Sequence, residues 1–576
     1  MPLGIIDTQI PDGTALPGTV RLVALDSAAG DAEATGHDTA LKKTTYMGVV
    51  AVLVPQPSDN DPNDPLFWPR WRKEAAFWVI LFNTIIFAVI PGPMLSPATF
   101  ALAPVLGVSI TKVAELSGYH LLVVAAIGPV VSVLAQKYGK RPPFLSAALL
   151  GTLGTAICIA GSRGSSYGTL LAGRVVQGLG VTAWESLALS GVGDLFFLHE
   201  RGWRIAAVVG SSACSVSMTS IVSGVLSERL GYKTLFVAAL PFNVVGLLVT
   251  VLLLPEMQYR RDLGELQPSP QTSSVVAGDG KTPEGKGNSA GEVSEPESIG
   301  STLSTHPKNT KSQMLAPWSG QTYTNKSIMA HIAGIFVHLA NPAVLWVLTT
   351  SAVINACFVA SSYILSQIYS PPPYGLNIEQ NGFIWAGALV GGLLAMPVGS
   401  VCDWSAAAMS RWNGGFYEAE FRIPVNVLGA AFAGLGWSLF MWVVENPRAD
   451  GVYLGAFCLG CLAFSISVPS TSAGLYVLDT FPNHSNEIFI LQMMVKNFLY
   501  YAFSTFINTW TTNEGAGTVF RVLGIVSLAL FTTCVPMCKL SPDDRLQRKQ
   551  ALIQCSSLDV FGKVNRRWIN RFYTKH

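Results

Sequence analysis

Charge is scarce in this sequence. Of 576 residues only 12% are Asp, Glu, Lys or Arg, about half the share of an average soluble domain, where charged residues are ~25%. The 37 basic residues nearly balance the 35 acidic ones, and a net charge of +2 is too small to imply a nucleic-acid partner. The eight histidines are scattered, with no paired histidine box and no nucleophile elbow, so nothing points to an enzyme. The stretch Ala277-Gly-Asp-Gly280-Lys281-Thr282 looks faintly like a nucleotide cradle. Val275 stands where its first glycine belongs, and neither strand nor helix flanks it, which removes an ATP-driven pump. The nine cysteines lie nearly all in apolar runs, without secreted-scaffold spacing, so disulfides are not expected. Cys458-Leu-Gly-Cys461 has no second ligand pair and reads as helix packing, so neither metal nor cofactor is expected. The opening MPLGIIDTQIPDG has no basic segment leading into an apolar core, so the first span has to serve as the signal.

What is abundant is apolar sequence, at 50% of residues and a mean hydropathy of +0.41. A membrane span needs about 20 apolar residues, because ~30 Å of hydrocarbon is crossed at ~1.5 Å per residue. Six such runs fall at about 75–97, 115–135, 143–161, 168–190, 205–225 and 233–254, and six more at about 343–366, 381–401, 424–444, 452–475, 487–509 and 517–538. The implied organisation is a disordered tail over 1–74, a six-helix bundle over 75–255, a linker over 256–341, a second bundle over 342–538 and a basic tail over 539–576. The linker is rich in Ser, Gly, Pro, Thr, Glu and Lys, a composition that buries too little apolar surface to fold. Basic residues recur on alternate loops, at Arg70, Arg72 and Lys73, then Lys137, Lys140 and Arg141, then Arg201 and Arg204, then Arg411 and Arg422. The positive-inside rule makes that side cytoplasmic, together with both termini and the linker.

Three sequence patterns narrow the class. The turn after the second span reads Ser132-Val-Leu-Ala-Gln136-Lys137-Tyr-Gly139-Lys140-Arg141, and its glycine is free to take a positive φ. In the fourth span, Gly173-Arg174-Val-Val-Gln177-Gly178-Leu-Gly180 places an arginine in hydrocarbon, at a cost of at least ~2.5–3.5 kcal/mol that marks a functional position. Glu185 lies eleven positions on, three turns plus about 20°, so the two charges share one helix face about 16 Å apart. In the second half Cys402-Asp403-Trp404 is followed by Arg411-Trp-Asn-Gly-Gly-Phe-Tyr-Glu418-Ala-Glu420-Phe-Arg422.

Over roughly residues 61 to 540 these motifs, in this order, resemble the major facilitator superfamily, in particular its fungal drug:proton antiporter branch. The copy departs from the family turn: Ser132 replaces a glycine and Gln136 an acid, while Asp403 supplies the acid in the second half. The fifth span also reads Thr219-Ser-Ile-Val-Ser-Gly224 where antiporters of that branch carry Gly-Pro and Gly-Gly. The resemblance implies an all-α integral membrane fold, two six-helix bundles with pseudo-two-fold symmetry and a site between them. It further implies a monomeric transporter of the plasma membrane that moves a small organic molecule by alternating access, coupled to protons, with export of a drug-like compound or secondary metabolite expected. Import of a nutrient or polyamine, and a non-transporting sensor, are the alternatives. Arg174 and Glu185 are the expected proton-coupling residues, and Lys137, Gly139, Lys140, Arg141 and Asp403 the expected gates. Polar stripes nominate the substrate-binding set: Asn83, His120, Gln177, Trp184, Asn355, Ser362, Ser366, Gln492, Lys496 and Tyr500.

Overall fold

The chain is described by a computed structural model covering residues 63–259, 311–318, 320, 322–324, 327–412, 416–448, 450–481 and 484–534, with the short stretches 19–21, 43–46 and 49–52. Most of both tails and the middle of the linker, including the Gly280-Lys281 stretch, fall outside these residues. In the first half α1 runs Arg70–Leu106, α2 Ile110–Tyr138, α3 Arg141–Arg163, α4 Tyr167–Leu195, α5 Leu198–Leu230 and α6 Lys233–Leu253. The second half repeats the pattern with α7 Pro342–Tyr369, α8 Ile378–Trp412, α9 Ala419–Glu445, α10 Gly451–Thr480, α11 Ser485–Glu514 and α12 Ala516–Thr532.

Among the described residues nine helices are long and apolar enough to cross a membrane unaided. The other three of the twelve are α4 and α11, whose apolarity is diluted by Arg174, Gln177, Glu185, Glu487 and Lys496, and α12, which has 17 residues. Both α4 and α11 lie against partner helices that hide their polar faces, so tertiary packing keeps them in the bundle.

Each half opens with an irregular helix. In α1 a π-helical stretch, Thr84–Val89, precedes Pro91, Pro93 and Pro97, which remove amide donors and force a 3-10 segment over Pro93–Ala98. In α7, Asn341 caps the first turn by accepting the Ala343 amide at 2.9 Å, and a π-helical stretch again follows, over Leu348–Val353.

Across the seam α2 lies along α11 and α5 along α8. The α5–α8 contact is made by small residues: Gly202 meets Gly399 and Asp403, Gly210 meets Met396, and Gly224 meets Gly382. Without a hydrophobic drive between helices in lipid, such close backbone approach supplies the packing energy. Call the end that carries Lys137 to Arg141 the basic end; the other is the far end.

Segments expected to be unstructured form short elements. Strand Thr19–Arg21 pairs antiparallel with Phe416–Glu418, and Lys43–Tyr46 with Val49–Val52. The last part of the linker forms helix Ile328–Val337, capped by Ser327 and packed on α2 and α11. A Ser cap and an apolar ten-residue run were present to be read there, but were too short to count as a span.

Candidate functional site

Glu185 is held at the seam by the opposite half. Its carboxylate forms an ion pair with Lys496 Nζ of α11, and its Oε2 accepts a hydrogen bond from Asn497 Nδ2 at 2.9 Å. Counted along their helices, both charges lie roughly 15 Å from the basic end at ~1.5 Å per residue, about half the depth of a ~30 Å core. Neither side chain is sealed off, at 17% exposed for Glu185 and 24% for Lys496. Tyr500, one turn beyond Lys496, is buried, with the ammonium 5.8 Å from its ring centroid. The pair therefore joins the halves without being fully enclosed by protein.

Arg174 shares a helix face with Glu185 but makes its contacts elsewhere. It is fully buried within the first half, where Nη1 donates to the Pro91 carbonyl at 2.6 Å and to Gln177 Oε1 at 3.1 Å. Gln177 donates in turn to Thr155 Oγ1 at 3.0 Å, which also receives Asn243 Nδ2 at 2.7 Å. The guanidinium stands 5.4 Å from the Phe236 ring centroid. Among the described residues no carboxylate pairs with it, and Nε and Nη2 are buried without partners. The prolines of α1 expose the carbonyl that Arg174 takes up, which ties this charge to the irregular part of α1.

The remaining nominated residues divide between seam and interior. Gln492 donates to Ser351 Oγ of α7 across the second half, while Asn355 donates to the Ser351 carbonyl and to Ser470 Oγ, each at 2.8 Å. Ser362 meets the first half directly, its carbonyl accepting from Ser96 Oγ at 3.3 Å. Ser366 is buried in α7. Trp184 is fully buried between Phe87 and Phe144, with centroids at 6.0 and 4.4 Å, and Asn83 is buried with its amide donating to the Val79 carbonyl. His120 is fully buried near Arg174. Lys496, Tyr500 and Glu185 are thus brought together, whereas His120, Gln177 and Arg174 form a second group closer to the far end.

At the basic end the ion pairs of the expected gate residues lie inside their own halves, while Asp403 also meets Gly202 of the first half. Lys140 Nζ pairs with Asp194 at 2.5 Å and donates to Ser190 Oγ at 3.1 Å. Gly139, at φ +97°, swings the chain over the Glu256 carboxylate, which accepts the amides of Lys140, Arg141, Met257 and Gln258 at 2.8–3.1 Å. Glu256 occupies the start of α3, where unpaired amides favour an anion. Burial nevertheless pushes its carboxyl above the ordinary range, with those four amides working against the shift. The Lys137 carbonyl accepts the Tyr323 amide of the linker. In the second half Asp403 pairs with Arg422 at 2.5 Å, and Arg422 also pairs with Asp479 at 2.7 Å while donating to Tyr417 Oη at 2.7 Å. Gln136, the residue that replaces the family acid, crosses the seam instead and donates to Glu487 Oε1 at 2.7 Å. Asn497, Asp479, Glu256 and Glu487 were missed in the sequence; the local signal each carried was an acid or amide at the end of, or within, an apolar run.

Twelve helices in two halves, with a partly exposed charged pair at mid-depth between them, define a polytopic membrane protein. The Major Facilitator Superfamily family model matches residues 75–503, and the chain belongs to that superfamily: it is a membrane transporter, not an enzyme. Protein HOL1 of Saccharomyces cerevisiae is 23% identical over 585 residues, covering 91% of this chain and 94% of the yeast protein. Efflux pump FUS6 of Gibberella fujikuroi is 27% identical over 205 residues, covering 35% and 36%. The crystal structure of the human organic anion transporter MFSD10 (TETRAN) has the same fold, with a TM-score of 0.51 at 13% identity over 81% of this chain and all of that one.

Proposed function

We propose that this transporter exports a small organic molecule in exchange for protons, with Glu185 as the group that takes up the proton. The observation that carries the reading is the ion pair between Glu185 and Lys496, one charge from each half. Ionised, Glu185 pulls the halves together at mid-depth. Protonated, it loses most of its attraction for Lys496, and the ammonium becomes available to a solute or to water. Proton and cargo then compete for the same closed arrangement, which is the logic of exchange. Water access to the pair is what lets protonation change within a transport cycle. The names of relatives such as efflux pump FUS6 support the outward direction. Arg174 steadies α1 through Pro91 and sets the field in the outer part of the route.

A plasma-membrane location, a monomer, and termini and basic end facing the cytosol complete the reading, the last resting on the loop charges. The fifth span, with Thr219-Ser-Ile-Val-Ser-Gly224 in place of an antiporter pattern, favours a second reading, proton-driven uptake of a nutrient or polyamine. Flux in proteoliposomes under an imposed pH gradient separates them: export predicts that cargo and protons move oppositely, uptake that they move together. Glu185→Gln is expected to abolish gradient-driven flux in either direction while leaving protein in the membrane. Unchanged flux in that variant removes Glu185 from the mechanism.

A further inference from the structure

At the basic end, away from the Glu185 site, three metal-ligating side chains converge from two segments of the chain. His338 lies at the end of the linker helix, His484 just before α11, and Glu487 in the first turn of α11. One ligand atom from each lies within 4.8 Å of the others, and Nδ1 of His484 is 3.6 Å from Oε2 of Glu487. Four-coordinate zinc with bonds of ~2.0–2.1 Å needs ligand atoms about 3.4 Å apart, so the separations here have to close by at most about 1.4 Å. Two imidazoles and one carboxylate form a donor set suited to a borderline transition metal rather than to magnesium or calcium, which require oxygen ligands. His338 is buried, and its ring stands beside that of His484 with centroids 5.1 Å apart. The other oxygen of Glu487 accepts Gln136 Nε2 of α2, and Gln136 Oε1 receives His331 Nδ1 at 2.8 Å. A second layer of hydrogen bonds to a ligating carboxylate is what holds it in place for a metal.

We infer that His338, His484 and Glu487 form a binding site for a zinc-class divalent cation that fastens the linker helix to α11. Through Gln136 the same carboxylate touches α2 of the first half, so an ion here stiffens the contact between halves at the basic end. The site is therefore regulatory, and an occupied site slows the opening of that end.

The test uses tag-free full-length protein in nanodiscs, titrated with Zn²⁺ by calorimetry and with Co²⁺ by visible absorption. One equivalent is expected to bind, and the cobalt bands are expected to have the strength of a low-coordinate nitrogen–oxygen site. His484→Asn, a partly exposed position, and the double variant His338→Asn with His484→Asn are each expected to weaken binding at least tenfold. Their melting curves without metal should match that of the unaltered chain. Failure of the unaltered protein to bind one equivalent, or a loss below tenfold in both variants, overturns the site. Binding does not depend on the transport reading, so its failure is distinct from a failure of Glu185. Slowing of flux by micromolar Zn²⁺, absent in His484→Asn, is the expected regulatory signature, and flux insensitive to zinc in a protein that binds it overturns the regulatory role.

Discussion

The pair between Glu185 and Lys496 is open to a quantitative test by a double-mutant cycle. Opposite charges ~4 Å apart attract by about 4 kcal/mol at an effective dielectric of ~20. Desolvation takes back part of that. Fully exposed pairs yield ~0.2–1 kcal/mol, whereas removing one partner of a fully buried pair costs ~3–5 kcal/mol. With the two side chains 17% and 24% exposed, the coupling belongs between these limits, at about 1–3 kcal/mol. Glu185→Gln and Lys496→Gln are each expected to destabilise the protein, and the double variant should be no worse than the poorer single one. At ~2.1 cal/mol/K per residue over several hundred residues, 1 kcal/mol moves Tm by about 1 °C, so shifts of ~1–3 °C are the scale to resolve. Thermal melting of purified protein, followed by intrinsic tryptophan fluorescence, measures the cycle. The charge-reversed double variant Glu185→Lys with Lys496→Glu should recover stability that either reversal alone loses. Strictly additive effects, with coupling below about 0.3 kcal/mol, refute the pair as a link between halves.

Three further outcomes follow from the same structure. Gly202→Leu places a side chain where α5 meets Asp403 and Gly399, so flux should fall at least tenfold with expression retained, read by uptake into proteoliposomes and by membrane yield. Arg422→Met leaves the buried Asp479 carboxylate without its cation, which should cost about 3–5 kcal/mol of stability; the loss, read by thermal melting, should be largely recovered when Asp479→Asn is added. The folded-state pKa of Glu256 is raised above its ordinary 4.5, so the folded chain holds the proton more tightly, and the stability it contributes is full below pH 4.5 and is lost as pH rises through the raised value. Glu256→Gln should flatten the melting profile across that interval, and an unchanged slope contradicts the assignment.

Hydropathy located every helix of the bundle because lipid imposes one requirement on all of them, an apolar run of fixed length. It placed the ends short: the first span reads as about 75–97 from apolarity but runs Arg70–Leu106 in the fold, since the chain resumes a helix over Thr99–Leu106 beyond the prolines. The polar helices α4 and α11 were still legible as apolar runs, at about 168–190 and 487–509, in spite of the charges they carry. Glu185 and Lys496 both stood out as charges in spans, yet nothing local joins residues 311 positions apart, and the helical periodicity that put Glu185 on the face of Arg174 says nothing about a helix from the other half. The same limit hid the role of Gln136. As the replacement for an acid it read as a loss, but an amide is what can donate to Glu487 across the seam. Asn497 and Asp479 were passed over because a polar residue beside a charge, or at a helix end, has many ordinary explanations.

The π-helical stretches of α1 and α7 sit at matching places, early in the leading helix of each bundle. A wide turn has one surplus residue, and the hydrogen bonds around it are more easily exchanged than those of a regular ladder. If the bundles bend in transport, Thr84–Val89 and Leu348–Val353 are where each leading helix departs from the regular ladder, at a distance from the ion pairs of the basic end.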